Sequence, residues 1–487
     1  MMSRIAVVHY LGATMRSRSV VASLLTGLVY DGHEVSLLDI SHFSTITQDL
    51  PPAWIARALG QKVFPHRFGE VLKELQVTQY RPLAPSNGSV SPPADRWNEC
   101  LQAIDSELLT YFRVPSLSAE SRAMIHMREL ITNNALATYS AISTWLGQHQ
   151  PDELIIPNGR TSRQKIARVA AEELGIAVRF YENGRARRNS YYLGTTQPHD
   201  RLASQKEVAP LTKNLSSENI SQLAEQWLEE RMNPSSGTNS FSAAWGRPAS
   251  LGKLEGARPL AVFFPSSTDE FLGFGPMWNI DEWESQFQAF DLIMSTLEKS
   301  GCDFVLRLHP SLGEKSRDYF RQTVAGIKEL QGRHPSLVVH WHNSPINSYD
   351  LVSRADYVIV ERSTIGLEAN LIGKPVWLNQ AAQWDLVADV RQALGPLQIT
   401  EEFLTPWDVD ISGAQRFVAY WMLQEHPLRY SWKDWGTWNP DSAPWILRIA
   451  TLFNDNPWSH RVQLVRTVLT TWRNNRFTRR KLTKEVG

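Results

Sequence analysis

Arg307 and His309 stand two residues apart at the end of the apolar run 304–308, so on a strand both side chains leave on one side. A guanidinium and an imidazole held together suit the charge of a mono- or diphosphate leaving group. The structural alternative is a histidine packed at a strand end that Pro310 breaks. A second run, Tyr357 to Val360, leads into Glu361-Arg362-Ser363-Thr364-Ile365-Gly366 and a helix carrying Glu368. Free backbone N–H groups and the positive end of a helix bind phosphate, and the Ser363 and Thr364 hydroxyls add donors. Glu368, one turn further on, is placed to accept from two ribose hydroxyls. The alternative makes Ser363 an N-cap and Glu368 a favourable charge in the first turn.

Two further loops carry acids. Ser266 to Phe271 follows the run 260–264 and holds Asp269 and Glu270, which suit a nucleophile in a configuration-retaining reaction or caps of the next turn. Glu182-Asn183-Gly184-Arg185 follows the run 177–181 and puts the Glu182 carboxylate after a strand, where it can serve as a general base or as a turn residue. Arg185, Arg187 and Arg188, with Arg160 after the run 153–156, form a basic group for an anionic acceptor, or a solvated basic loop. Cys100 and Cys302 make no metal motif. The expected chemistry therefore uses protein cations and helix dipoles, with no metal and no cofactor beyond a nucleotide co-substrate.

All four loops follow strands, and open α/β sheets bind ligands at the carboxyl ends of their strands. The apolar runs at 5–9, 34–38, 153–156 and 177–181 alternate with helical stretches, as do those at 260–264, 304–308, 337–340, 357–360 and 376–378. Residues 60–82, 99–112 and 117–147 read as helices. The Ser-, Gly- and Pro-rich stretch 233–259 reads as a linker. The expected domains are 1–232 with a helical insertion, 260–410, and a helical extension over 411–487.

The chain has 487 residues, enough for two or three domains, with 50 basic and 50 acidic side chains. That balance gives no global field to draw nucleic acid. The first residues lack a signal-peptide pattern and no apolar run reaches spanning length, so a cytoplasmic protein is expected. Residues 461–484 hold eight Lys or Arg and no acid, with Val462, Val465, Leu469 and Trp472 on one helical face. Such a helix suits an anionic membrane surface, here the inner membrane, or packs its apolar face on the protein.

The stretch from RLHP to GKPV, including SYDLVSRADYVIVERSTIGLEANLIGKPV, resembles the donor-binding half of capsule polysaccharide biosynthesis proteins, a group that includes Kdo transferases. Bacterial sialyltransferases share a similar His-Pro and Ser/Thr pair. FFPSSTDEF and the pair NGR and ENG extend the likeness to roughly 155–380. The resemblance implies an α/β, GT-B-like fold, with two Rossmann-like domains facing a cleft. It implies a nucleotide-sugar donor, CMP-sugars prominent, with His309, Ser363 and Thr364 on its phosphate. It implies transfer to a growing glycan or lipid-linked acceptor. Glu182 sits where the family's acidic-acidic-Gly motif places the base, but here the second acid is Asn183. A nucleotide-sugar 2-epimerase, a CDP-polyol phosphotransferase and a non-catalytic nucleotide-binding scaffold remain alternatives.

Overall fold

The computed structural model describes residues 2–9, 15–43, 66–85, 90–112, 121–187, 189–233, 258–266, 276–280 and 282–430, with single residues at 114, 117, 271 and 274 and several between 465 and 476. Arg188, Asp269, Glu270, residues 234–257 of the expected linker and most of the tail lie outside the described residues.

The first half opens with β1 (Arg4–His9), whose last five residues are all buried. That is the unalternated pattern of a strand covered on both faces. α1 (Met15–Tyr30) returns through Gly32, at φ 83°, into β2 (Glu34–Asp39). The helix expected over 60–82 is described as α2 (His66–Glu74) followed by a strand, β3 (Thr78–Tyr80). Gln76 at φ 56° ends the helix, and a β-branched and an aromatic residue then pair with β2. α3 (Ala94–Phe112) and α4 (Arg122–His149) precede β4 (Glu153–Pro157), α5 (Ser162–Glu173), β5 (Ala177–Asn183) and β6 (Ser190–Gly194).

α6 (Arg201–Thr212) and α7 (Ser217–Met232) lead to the second half. It runs β7 (Leu260–Phe264), α8 (Gln286–Glu298), β8 (Asp303–Arg307), α9 (Arg317–Arg333), β9 (Val338–His340), α10 (Ser348–Arg354), β10 (Tyr357–Val360), α11 (Thr364–Leu371), β11 (Val376–Leu378) and β12 (Arg391–Gln392). α12 (Ser412–Leu423) and β13 (Glu425–Pro427) close the main body.

Both halves are Rossmann-like. The first sheet is ordered β3-β2-β1-β4-β5-β6-β13 and the second β9-β8-β7-β10-β11-β12. Each follows the doubly wound order 3-2-1-4-5-6, whose direction of winding reverses between its first and fourth strands. All second-sheet pairs are parallel, whereas β6 and β13 join the first sheet antiparallel. Along β7 the side chains alternate: Ala261 and Phe263 enter one core, and Leu260, Val262 and Phe264 the other.

The chain ties its halves together twice. α6 and α7 lie in the part expected to belong to 1–232, yet Val208, Ala224 and Trp227 pack into the second sheet's core beside Phe417 and Trp421. β13 then returns to pair with β6 of the first sheet. By packing, the first half therefore ends near β6 and regains a strand after the second half. Among the described residues, no helix is long and apolar enough to cross a membrane.

Candidate active site

The winding reversals fall between β1 and β4 in the first sheet and between β7 and β10 in the second. The loops leaving these strands frame the crevice in which doubly wound sheets bind ligands.

In the first half that crevice is a pocket of about 180 Å³, walled by His9, Asn158, Arg160, Tyr181 and Glu182 among others. It is smaller than a site for a whole drug-sized ligand, roughly 300–1,000 Å³, and suits one ring with its hydroxyls. β4 turns sharply at its end, with Asn158 at φ 48° and Gly159 at φ 77°. A side chain on Gly159 would strike the Phe180 ring at 2.6 Å. The turn lays the Asn158 amide against the Glu182 carboxylate and 2.9 Å from His199 Nε2. His9, at the end of β1, is buried, and its pKa is pushed down to about 3 by burial and then by Arg18, against a raising effect of Asp39. Its imidazole is therefore neutral around pH 7.

The Glu-Asn-Gly loop is fixed by a residue far along the chain. The buried Glu425 carboxylate, on β13, accepts from the backbone N–H groups of Arg185, Ala186 and Arg187 and from the Ser190 hydroxyl. A Cβ on Gly184 would lie 1.9 Å from Ser190 Oγ and 2.8 Å from Glu425 Oε2, so only glycine fits. Sequence reading missed His9, Asn158, His199 and Glu425. The signal for His9 and Asn158 was a polar residue closing an apolar strand, and nothing local marks Glu425.

The arginines do not act as one group. Arg160 lines the pocket, with its guanidinium 5.0 Å from the Phe274 ring and Nη2 donating to Thr110 Oγ1 at 3.1 Å. Arg185 turns to Gln383 Oε1 at 2.6 Å and His199 Nδ1 at 3.1 Å. Arg187 is half-buried, its backbone held by Glu425.

In the second half, His309 leaves β8 and caps the short turn 310–314. Its Nδ1 accepts from the Ser311 backbone N–H at 3.2 Å. A backbone N–H can only donate, so a neutral ring carries its proton on Nε2, as a phosphate contact requires. Arg307 departs from expectation. It is buried and gives its guanidinium to the carbonyls of Leu308, Trp341 and Ser344 at 2.8–3.3 Å. It braces the loops after β8 and β9 instead of reaching into the cleft. Burial lowers its pKa to about 10, which leaves it charged at neutral pH.

Ser363 caps α11, with its hydroxyl 3.5 Å from the Ile365 N–H, and Thr364 is exposed beside it. The helix start is thus open to an anion. β8 and β10 flank β7, so the His309 and Ser363 loops leave the sheet about 10 Å apart. Gly366 serves packing: a Cβ there would meet the Trp384 ring and Val360 at 2.8 Å. Glu368 is buried and paired with Arg231 of α7 at 2.5 Å, with Tyr349 also hydrogen-bonded to it. Its expected ribose contact is replaced by this internal pair, because α7 covers that face of α11. Arg231 Nη2 also lies 3.5 Å from Thr364 Oγ1, which fixes α7 to the helix start.

The two halves meet through the loop after β7. Arg362 donates to the Trp278 carbonyl at 3.0 Å and lies 4.8 Å from the Phe271 ring. On the loop's other side Phe274 stacks on His199, at a ring separation of 4.2 Å, and Trp278 Nε1 donates to the His199 carbonyl at 2.9 Å. A continuous set of contacts therefore runs from the start of α11 to Glu182. Among the described residues, no cluster of His, Cys, Asp or Glu is placed to hold a metal.

No family model and no curated protein matches the chain. Solved structures do match. The Thermosulfurimonas dismutans KpsC beta Kdo 2,4 transferase is 15% identical, with a TM-score of 0.36 over 55% of this chain and 79% of that one. The UDP-GlcNAc 2-epimerase from Neisseria meningitidis bound to UDP-GlcNAc is 11% identical, with a TM-score of 0.30 over 86% of this chain and 99% of that one. CalG4, the calicheamicin glycosyltransferase, is 12% identical, with a TM-score of 0.26 over 99% of each chain. Likenesses this low carry no argument about the reaction. The two strand orders establish the architecture, and the residues at the winding reversals carry the functional reading.

Proposed function

We propose that the chain is a glycosyltransferase of bacterial surface polysaccharide assembly, moving a sugar from a nucleotide-sugar donor to a glycan or lipid-linked acceptor. One observation carries the reading. A carboxylate pocket at one winding reversal and an open helix start at the other are joined through contacts of Phe271, Phe274 and Trp278. In this reading the acceptor hydroxyl enters the first-half pocket and gives its proton to Glu182. The acceptor oxygen bonds to the sugar carbon as the bond from that carbon to the donor phosphate breaks. The electron pair leaves on the phosphate, where His309 Nε2–H, the first N–H groups of α11 and the Ser363 and Thr364 hydroxyls stabilise it. This chemistry calls for no metal. A CMP-sugar is favoured on the sequence resemblance. Asp269 and Glu270 would act only in a configuration-retaining variant of the reaction.

Product analysis tests the reading. A CMP-sugar incubated with a lipid-linked glycan should release CMP only when the acceptor is present. Change of configuration in a nucleotide sugar without acceptor would make the chain an epimerase, and transfer of a polyol phosphate from a CDP-polyol would make it a phosphotransferase. Tight nucleotide binding with no turnover would make it a scaffold.

The tail supports a membrane-bound acceptor. Asn474 is buried and donates to the carbonyls of Lys315, at 3.2 Å, and Gly313. Val465, Leu469 and Trp472 are exposed at helical spacing, beside exposed Arg473 and Arg476. Among the described tail residues, Asn474 faces inward while apolar and cationic groups face outward, which suits a helix lying on an anionic bilayer. Leu469→Glu with Trp472→Glu should weaken binding to phosphatidylglycerol vesicles at least about tenfold, since each change removes apolar burial and adds repulsion. Unchanged sedimentation with vesicles would contradict this role.

A further inference from the structure

His199 lies between β6 and α6, where the chain crosses from one half to the other, and it is half-buried. The groups facing it come from several elements. From the first half these are Glu182 Oε2 at 3.7 Å, the Asn158 amide at 2.9 Å, Arg185 Nη2 at 3.1 Å and the Arg160 charge. From the second half the Phe274 ring and the Trp278 indole N–H reach its ring and its carbonyl, and Gln383 donates to the neighbouring Pro198 carbonyl at 2.7 Å. Glu182 shares its pocket with His9 and Arg160.

The contacts of this cluster fix the tautomer of His199. An arginine nitrogen can only donate, so His199 Nδ1 must accept from Arg185. Burial, then Arg185 and Arg160, hold the His199 pKa well below its ordinary value, so the ring is neutral and its one proton sits on Nε2. Nε2–H then needs an acceptor at the 2.9 Å contact with Asn158, and that acceptor can only be the amide oxygen. The nitrogen and oxygen of an Asn amide are assigned by their partners, so the amide turns. The turn gives up the Asn158 Nδ2–H bond to the Glu182 carboxylate in exchange for the one from His199 Nε2–H, and it moves Nδ2 to the place where Oδ1 has no partner. Turned this way, Asn158 Oδ1 faces both His199 Nε2–H and the Glu182 carboxyl.

We propose that His199 is a positioning residue for Glu182: fixed in one tautomer by Arg185, it turns the Asn158 amide so that its oxygen, not its NH2, faces the Glu182 carboxyl. An acceptor oxygen beside a carboxyl group favours the protonated form, the form Glu182 reaches once it has taken the acceptor's proton. An NH2 in the same place would favour the carboxylate and weaken the base. The donor half holds His199 through Phe274 and Trp278, so the strength of the base depends on a residue that both halves grip. The proposal rests on the reading of Glu182 as the base.

The test compares His199→Asn with His199→Gln in the full-length protein, following kcat/KM against pH. Asparagine retains a polar group at the level of Nδ1 but does not reach Asn158, whereas the glutamine amide N–H reaches the position of Nε2–H. In His199→Asn the Asn158 NH2 is released to the carboxylate. The Glu182 pKa then falls, and the acid limb should move about one pH unit lower. In His199→Gln the limb should stay at the wild-type pH. Equal limb positions in the two variants, or an upward move in His199→Asn, would overturn the positioning role. Glu182→Gln separates this from failure of the base reading: if that variant keeps the wild-type rate and acid limb, the base assignment falls and the proposal falls with it. If the variant is inactive and the two His199 limbs coincide, only the positioning role is lost.

Discussion

Glu182→Gln should lower kcat by about 10²–10⁴-fold, the usual contribution of a general base, while the donor KM changes little. The substitution preserves size and the capacity to hydrogen-bond Asn158, so the loop held by Glu425 keeps its shape. The donor parts lie in the other half, on β8 and β10, and do not sense the change directly. What is removed is the site for the acceptor's proton. A variant with nearly normal transfer would move the base elsewhere. Asp269→Asn and Glu270→Gln would then identify a carboxylate acting as nucleophile.

The second large effect is expected at His309. Its two ring nitrogens do different things, and the variants can separate them. His309→Asn keeps an oxygen near Nδ1 to accept from the Ser311 N–H, so the turn 310–314 stays capped. It loses the Nε2–H that would meet the phosphate. Removal of one preorganised donor to a developing anion costs about 10²–10³-fold in kcat, and that loss is expected here with little change in melting temperature. His309→Ala should add a loss of stability to the same loss of rate. If His309→Asn turns over at the normal rate while His309→Ala is merely unstable, the residue is a cap and the phosphate contact is elsewhere.

The strands were legible because they are short, apolar and buried on both faces: Ile5 to His9, Leu260 to Phe264 and Tyr357 to Val360 stand where the residue pattern puts them. β3 was not, because Thr78-Gln79-Tyr80 is largely exposed and follows a helix without a Gly or Pro to mark its end. β13 was illegible for a stronger reason. Glu425-His426-Pro427 becomes a strand only by pairing with β6 and by the cradle of N–H groups around its carboxylate. The site divides in the same way. Glu182, His309, Ser363 and Thr364 could be named from residue type and position after a strand. The tasks of Arg307, Arg185 and Glu368 could not, because each depends on a partner far away in sequence: Trp341, Gln383 and Arg231. A charged side chain in a loop reads as ready for a ligand until its internal partner is known.

In the proposed reaction the β8 and β10 loops hold a nucleotide. The most direct measurement is thermal unfolding of the intact protein in the presence of CMP, CDP, UDP, GDP or TDP. A nucleotide that binds only the folded chain adds about 2.7 kcal/mol of stability at a hundredfold excess over its dissociation constant, enough to raise the melting temperature measurably. CMP should raise it selectively, and His309→Asn should reduce that rise. A selective rise with UDP or GDP would keep the nucleotide site and overturn the CMP-sugar donor. No rise with any of the five would contradict the site itself.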